Sequence, residues 1–213
     1  MPDRTALLDQ LIAHGVLPVI RTSDADLART AVAWLKEAGF RTFEITLTIP
    51  GAAALIAELA ADPKLLIGAG TVLSAHDAER MVAAGARFIV SPCVVPAIGA
   101  ACRQLAVPCL MGTLTPTEVF QALEAGAMAV KLFPAATVGP AHLKALRTIF
   151  PEVRFMPTGG IDAANIPAWF AAGAACVGVG GKLVDEGAIK KGDKGAIVEA
   201  GMQMLAAYHA TKS

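Results

Sequence analysis

The chain has 213 residues, 55% hydrophobic and 17% charged, with 18 basic and 18 acidic side chains and a formal net charge of zero. That balance supplies neither the basic patch of a nucleic-acid binder nor that of a membrane-surface protein, and the apolar share excludes a disordered chain. The mean hydropathy of +0.57 raises the question of a membrane span. The uncharged stretch 163–181 has the length for one, but Asn165, Pro167 and glycines 173, 178, 180 and 181 divide it into helix, turn and strand.

In chain order, residues 1–16 (MPDRTALLDQLIAHGV) show a short amphipathic helix without the apolar block of a signal peptide. VLPVIR (16–21) is the first apolar strand. DADLARTAVAWLKEAG (24–39) then places Leu27, Ala31, Leu35 and Ala38 on one helical face. From here a grammar repeats. EAGFRTFEI, AAGARFIV, EAGAMAVKL and AAGAACVGV each end a helical pattern at a glycine (39, 85, 126 and 173) and enter an apolar strand. Between them stand VLPVIR, KLLIGAGTV, VPCLMGT and RFMPTGG, each with a proline near its entry (18, 63, 108 and 151). Two interleaved series of four make eight strand–helix units. Such alternation predicts parallel pairing with right-handed crossovers, closed into a (β/α)8 barrel preceded by a short N-terminal helix. No linker interrupts the series, so residues 1–213 read as one domain; an open doubly wound sheet is the alternative, although no glycine-rich dinucleotide turn follows the first strand.

Side-chain alternation orients the strands. In TFEITLT (42–48), Phe43, Ile45 and Leu47 share the face expected to meet the helices, which turns Thr42, Glu44, Thr46 and Thr48 inward. In AMAVKLFP (127–134), Val130 and Leu132 point outward, and Ala129, Lys131 and Phe133 point inward. Lys131 and Glu44 are therefore expected to meet inside the barrel, near the strand ends where barrel active sites lie. Arg21, Thr71, Pro92 and Thr158 occupy other strand ends. A buried Lys–Glu pair can simply satisfy itself. It can also do chemistry: burial favours a neutral amine, which attacks a ketone to form a Schiff base, while the carboxylate moves protons.

VLPVIR, FEITLTIPGA, LIGAGTVL, FIVSP, VKLFPA and RFMPTGGI, in that order, resemble the 2-keto-3-deoxy-6-phosphogluconate (KDPG) and 4-hydroxy-2-oxoglutarate (KHG) aldolase family. The resemblance implies a class I aldolase on this barrel, without metal or cofactor and usually a homotrimer. It would cleave a phosphorylated 2-keto-3-deoxy sugar acid to pyruvate and glyceraldehyde 3-phosphate. It also implies Lys131 as the Schiff-base lysine, Glu44 as the acid/base and Thr71 as a contact to the pyruvate carboxylate. Arg21 would lie near substrate anions, Pro92 and Phe133 would line the pocket, and Thr158, Gly159 and Gly160 would lie near the phosphate. Gly180 and Gly181 add a second glycine turn at the neighbouring strand end, where barrels commonly bind phosphate. The chain departs from some members at Thr48 (arginine), which leaves carboxylate binding to lean on Arg21, and from many at Gly181 (serine) and Met111 (proline), the last expected to reshape a pocket wall. Lys182 is either a solvated lysine or a charge that compensates at Gly181.

The rest is bland. Cys93, Cys102, Cys109 and Cys176 form no Cys-x-x-Cys pair, as expected of free thiols in a reducing cytoplasm, and Cys93 reads as a small core residue. His14, His76, His142 and His209 read as surface or helix-end residues, Trp34 and Trp169 as helix packing, and 185–195 (DEGAIKKGDKG) as a solvated connection. The competing functions are an aldolase for 4-hydroxy-2-oxoglutarate or an unphosphorylated analogue, a phosphosugar isomerase or epimerase, and a non-catalytic barrel scaffold.

Overall fold

The computed structural model describes residues 3–212. A first helix α1 (Arg4–Ala13) leads into eight strands: β1 (Val16–Ile20), β2 (Thr42–Thr46), β3 (Leu66–Gly70), β4 (Ile89–Ser91), β5 (Cys109–Thr113), β6 (Ala129–Leu132), β7 (Phe155–Pro157) and β8 (Val177–Val179). Helices α2 (Ala25–Ala38), α3 (Ala52–Ala60), α4 (Ala75–Ala83), α5 (Pro96–Gln104), α6 (Pro116–Glu124), α7 (Gly139–Ile149) and α8 (Ile166–Ala171) connect them in turn. A short α9 (Glu186–Lys190) and a long α10 (Lys194–Ala210) complete the chain.

Neighbouring strands pair in parallel in the order β7-β6-β5-β4-β3-β2-β1-β8. A parallel bridge from Thr158 to Gly178 joins the two ends of that series. This is the (β/α)8 barrel expected from the interleaved repeats. Gly39, Gly85, Gly126 and Gly173 all take positive φ, of 113°, 110°, 92° and 96°, as left-handed helix exits require. Helix starts are equally local in origin. Asp24 accepts from Leu27 N–H at 2.9 Å, and Thr115 and Glu118 form a capping box at α6.

Strand alternation separates two apolar layers. Phe43, Ile45, Val130 and Leu132 belong to the layer between sheet and helices, together with Ala28, Ala31, Val32 and Leu35 of α2. Inside the ring lie Leu17, Leu66, Phe88, Val90, Leu110, Ala129, Met156 and Cys176, and onto them pack Leu7, Leu8 and Leu11 of α1. The N-terminal helix thus plugs the floor of the barrel with three leucines. The interior becomes polar only above this plug.

Three expectations need correction. The segment 185–195 is not merely a connection. It contains α9, whose first turn is capped by Asp185 (to Ala188 N–H, 3.0 Å), and Glu186 accepts from both the backbone N–H and the hydroxyl of Ser23. Met111 does not border the pocket: on β5 it points outward into the helix layer, fully buried. Cys93 is exposed rather than core, because it follows Pro92 in the turn leaving β4. Cys102, Cys109 and Cys176 are buried, and all four thiols are free. Among the described residues no helix is long and apolar enough to cross a membrane.

Leu8 is 1% exposed, so Leu8→Ala should cost about 2–5 kcal/mol. Urea unfolding should show a lower midpoint at unchanged slope; a midpoint equal to wild type would mean that the plug contributes little.

Candidate active site

Two inward positions on β2 and β6 define the centre. Lys131 Nζ lies 3.8 Å from Glu44 Oε1, with the two side chains 6% and 0% exposed. Neither Glu44 oxygen has a hydrogen-bond partner. The carboxyl therefore sits in a buried recess, close to the Lys131 amine but without a direct hydrogen bond to it. Gly70 of β3 makes the recess possible, because a Cβ there would lie 1.9 Å from Glu44 Oε1.

Burial pushes the Glu44 pKa above its ordinary value; the positive charges of Lys131 and Arg21 pull it part of the way back. Lys131 also stands over the Phe133 ring, 5.2 Å from its centroid, within cation–π range. Phe133 itself is 38% exposed at the rim.

A second cluster holds Arg21 in place. Its Nη2 donates to Thr71 Oγ1 at 2.9 Å and its Nη1 to Thr48 Oγ1 at 3.1 Å. Thr46 donates to the Ile20 carbonyl at 3.0 Å, and the Thr46 and Thr48 hydroxyls are 2.8 Å apart. Donor counting orders the chain as Arg21 to Thr48 to Thr46 to Ile20 O. Thr71 has φ of +59°, an uncommon conformation for a β-branched residue that persists only where its surroundings fix it. The guanidinium is one such constraint.

These groups share one cavity of about 470 Å³ at the C-terminal ends of the strands. Arg21, Thr71, Pro92, Lys131, Phe133, Thr158, Gly159, Gly160, Gly180 and Gly181 all line it, as the sequence placed them. Glu44 lies beneath the wall rather than on it. Gly159 and Gly160 have φ of 97° and 74°, successive left-handed residues of the kind that shape anion-binding backbone turns. Val19, Ile161 and Lys182 complete the lining. Sequence reasoning did not single out Val19 or Ile161, apolar residues with no chemical signature. It also missed Thr46 as a link to Arg21, although the two-residue step from Glu44 was a usable signal. Thr48 receives a hydrogen bond from Arg21, which follows the adjacent strand β1. Among the described residues no group of three His, Cys, Asp or Glu side chains is arranged to hold a metal ion.

Chemically, the cavity offers an amine paired at a distance with a carboxyl of raised pKa, a fixed guanidinium and a glycine-rich turn. Residues 8–200 match the family model described as KDPG and KHG aldolase. The chain is 35% identical over 192 residues to 2-dehydro-3-deoxy-phosphogluconate aldolase of Treponema pallidum (strain Nichols), covering 89% of this chain and 91% of that one. It is 33% identical over 198 residues to the probable 2-dehydro-3-deoxy-6-phosphogalactonate aldolase of Rhizobium meliloti (strain 1021), covering 92% of each. Among solved structures it resembles KDPG aldolase from Legionella pneumophila, captured with pyruvate as a covalent carbinolamine. There the TM-score is 0.86 at 34% identity, with 95% of this chain and 98% of that chain covered.

Because the folded state holds the Glu44 proton more tightly than the unfolded chain, this group's contribution to stability is full below the ordinary carboxylate pKa. It is lost as pH rises through the raised folded value. Carboxyl 13C NMR should place the Glu44 midpoint above an ordinary glutamate's, and Lys131→Met should move it higher still. A midpoint that falls on removal of the lysine would contradict the charge balance described.

Proposed function

Because the chain belongs to the KDPG and KHG aldolase family and is thereby a carbon–carbon lyase, we propose that it cleaves 2-keto-3-deoxy-6-phosphogluconate reversibly to pyruvate and glyceraldehyde 3-phosphate. The observation that carries this reading is the enclosed Lys131–Glu44 pair, 3.8 Å apart at the base of the cavity. The covalent pyruvate carbinolamine of the Legionella relative supports it.

The Lys131 amine attacks the C2 ketone, and loss of water from the carbinolamine leaves a protonated imine. The Glu44 carboxylate, left by proton donation to the departing carbinolamine hydroxyl, then takes the C4 hydroxyl proton through the released water, and the C3–C4 bond breaks. The electron pair moves into the imine as an enamine, and the aldehyde departs. Protonation at C3 and addition of water to the imine release pyruvate and restore the amine. Glu44 shuttles the protons at the carbinolamine, at the C4 hydroxyl and at C3; its raised pKa suits a group that must both give and take them. Arg21 and Thr71 hold the keto-acid carboxylate. Pro92 and Phe133 wall the pocket, and Thr158, Gly159, Gly160, Gly180 and Gly181 receive the phosphate.

Residues 1–213 act as one barrel domain, in a cytoplasmic homotrimer, with small molecules as the only substrates. Gly181, which offers no side chain to a phosphate, favours a second reading: an aldolase for 4-hydroxy-2-oxoglutarate or an unphosphorylated 2-keto-3-deoxy acid. The isomerase and scaffold alternatives give way to the family's lyase chemistry.

Incubation with pyruvate and borohydride should leave one reduced pyruvate adduct, located at Lys131 by peptide mass spectrometry, and abolish turnover. Lys131→Ala should form none. Glu44→Gln should fold and lose on the order of 100-fold in kcat or more. The acid limb of the kcat/KM profile, expected in wild type at a pH above an ordinary glutamate's pKa, should also disappear. Near-normal turnover would refute the role of Glu44; an adduct elsewhere would refute that of Lys131.

A further inference from the structure

The cavity wall carries three cations, Arg21, Lys131 and Lys182, and no acidic residue. Two of the cations are committed. Arg21 is held by Thr48 and Thr71, and Lys131 faces Glu44 from 3.8 Å. The lysines that form ion pairs among the described residues are Lys36, Lys131, Lys190 and Lys194. Lys182 is not among them. The acidic side chains that follow it in sequence are already engaged, Asp185 capping α9 and Glu186 bound to Ser23 and Lys190.

We propose that Lys182 is the specificity-determining side chain for a phosphorylated substrate, supplying the charge that the glycine turns around it cannot. This rests on the aldolase reading and deepens it. A phosphate monoester carries close to two negative charges at neutral pH. The backbone N–H groups of Gly159–Gly160 and Gly180–Gly181 contribute dipoles but no net charge. Gly181 adds no hydroxyl either, although a side chain would fit: a Cβ there meets nothing within 4 Å. An exposed lysine next to that gap, with no carboxylate to neutralise it, can swing its ammonium over the turn. Its long flexible stem suits a point-charge contact better than a bidentate one. Lys182 thus makes the second reading of the site, an enzyme indifferent to phosphate, unnecessary.

The test compares kcat/KM for 2-keto-3-deoxy-6-phosphogluconate with that for its dephosphorylated analogue. In Lys182→Ala the ratio should fall about tenfold, through KM rather than kcat, as expected for loss of one charge-assisted contact. Lys182→Arg should retain the ratio, and adding Gly181→Ser to Lys182→Ala should restore part of it. Raising the ionic strength should lower the wild-type ratio and leave that of Lys182→Ala nearly flat. Inorganic phosphate titrated against the protein by 31P NMR, a readout independent of turnover, should bind about tenfold more weakly to Lys182→Ala. An unchanged ratio and unchanged phosphate binding in Lys182→Ala would overturn the proposal, as would a wild-type enzyme that ignores the phosphate. The pyruvate–borohydride adduct separates this failure from the larger one. An adduct at Lys131 with no effect of Lys182 overturns this inference alone, whereas no adduct in wild type overturns the aldolase chemistry.

Discussion

A buried carboxyl that no other protein group hydrogen-bonds, held 3.8 Å from a buried lysine, is an expensive arrangement on which the rest of the structure depends. Removing two charges from water costs several kcal/mol per ion, and attraction across a gap of this size does not obviously recover it. Much of the surrounding structure can be understood as what keeps such a pair in place. Gly70 clears the recess, the ring of strands fixes the positions of β2 and β6, and three leucines of α1 close the space below. A stability-driven interior would have continued the apolar filling of the lower layer upward. The change from Leu, Phe and Met below to Glu, Lys and Thr above therefore marks where packing gives way to chemistry.

The same economy shapes the guanidinium of Arg21. Three threonines from two loops and a strand fix it, one of them in a left-handed backbone conformation. Fixing the head in advance means that less freedom is lost when a planar carboxylate arrives. Lys182, beyond the end of the neighbouring strand β8, has no comparable tether. On the proposed function, one anion site is rigid and directional and the other loose and Coulombic, which suits a planar carboxylate at one end of the substrate and a nearly spherical dianion at the other.

Much of this was legible in the chain, for local reasons. Glycine at 39, 85, 126 and 173 has few conformational reasons to recur other than helix exits, and all four do adopt positive φ. Period-two alternation in 42–48 assigned Glu44 to the interior without any knowledge of its neighbours, and the same rule placed Lys131. What escaped was decided by tertiary contact. Met111 was expected at the pocket because the resemblance implied a proline there, but on β5 its side chain turns into the layer between sheet and helices. Helix α9 is too short to show a period, and its ties to Ser23 span most of the chain. The leucines of α1 were readable as an amphipathic face, while the floor they fill is assembled from six other strands that no local pattern reveals.

That filled floor has a kinetic meaning. A barrel stoppered at one end is a cul-de-sac, so every molecule that enters must leave by the same mouth. With Lys131 as the proposed nucleophile deep in the cavity, the fragment bonded to it is the innermost guest. On the proposed chemistry the imine bond holds back the keto acid while the aldehyde exits, and the single mouth makes the outgoing aldehyde clear the only path the keto acid can then take.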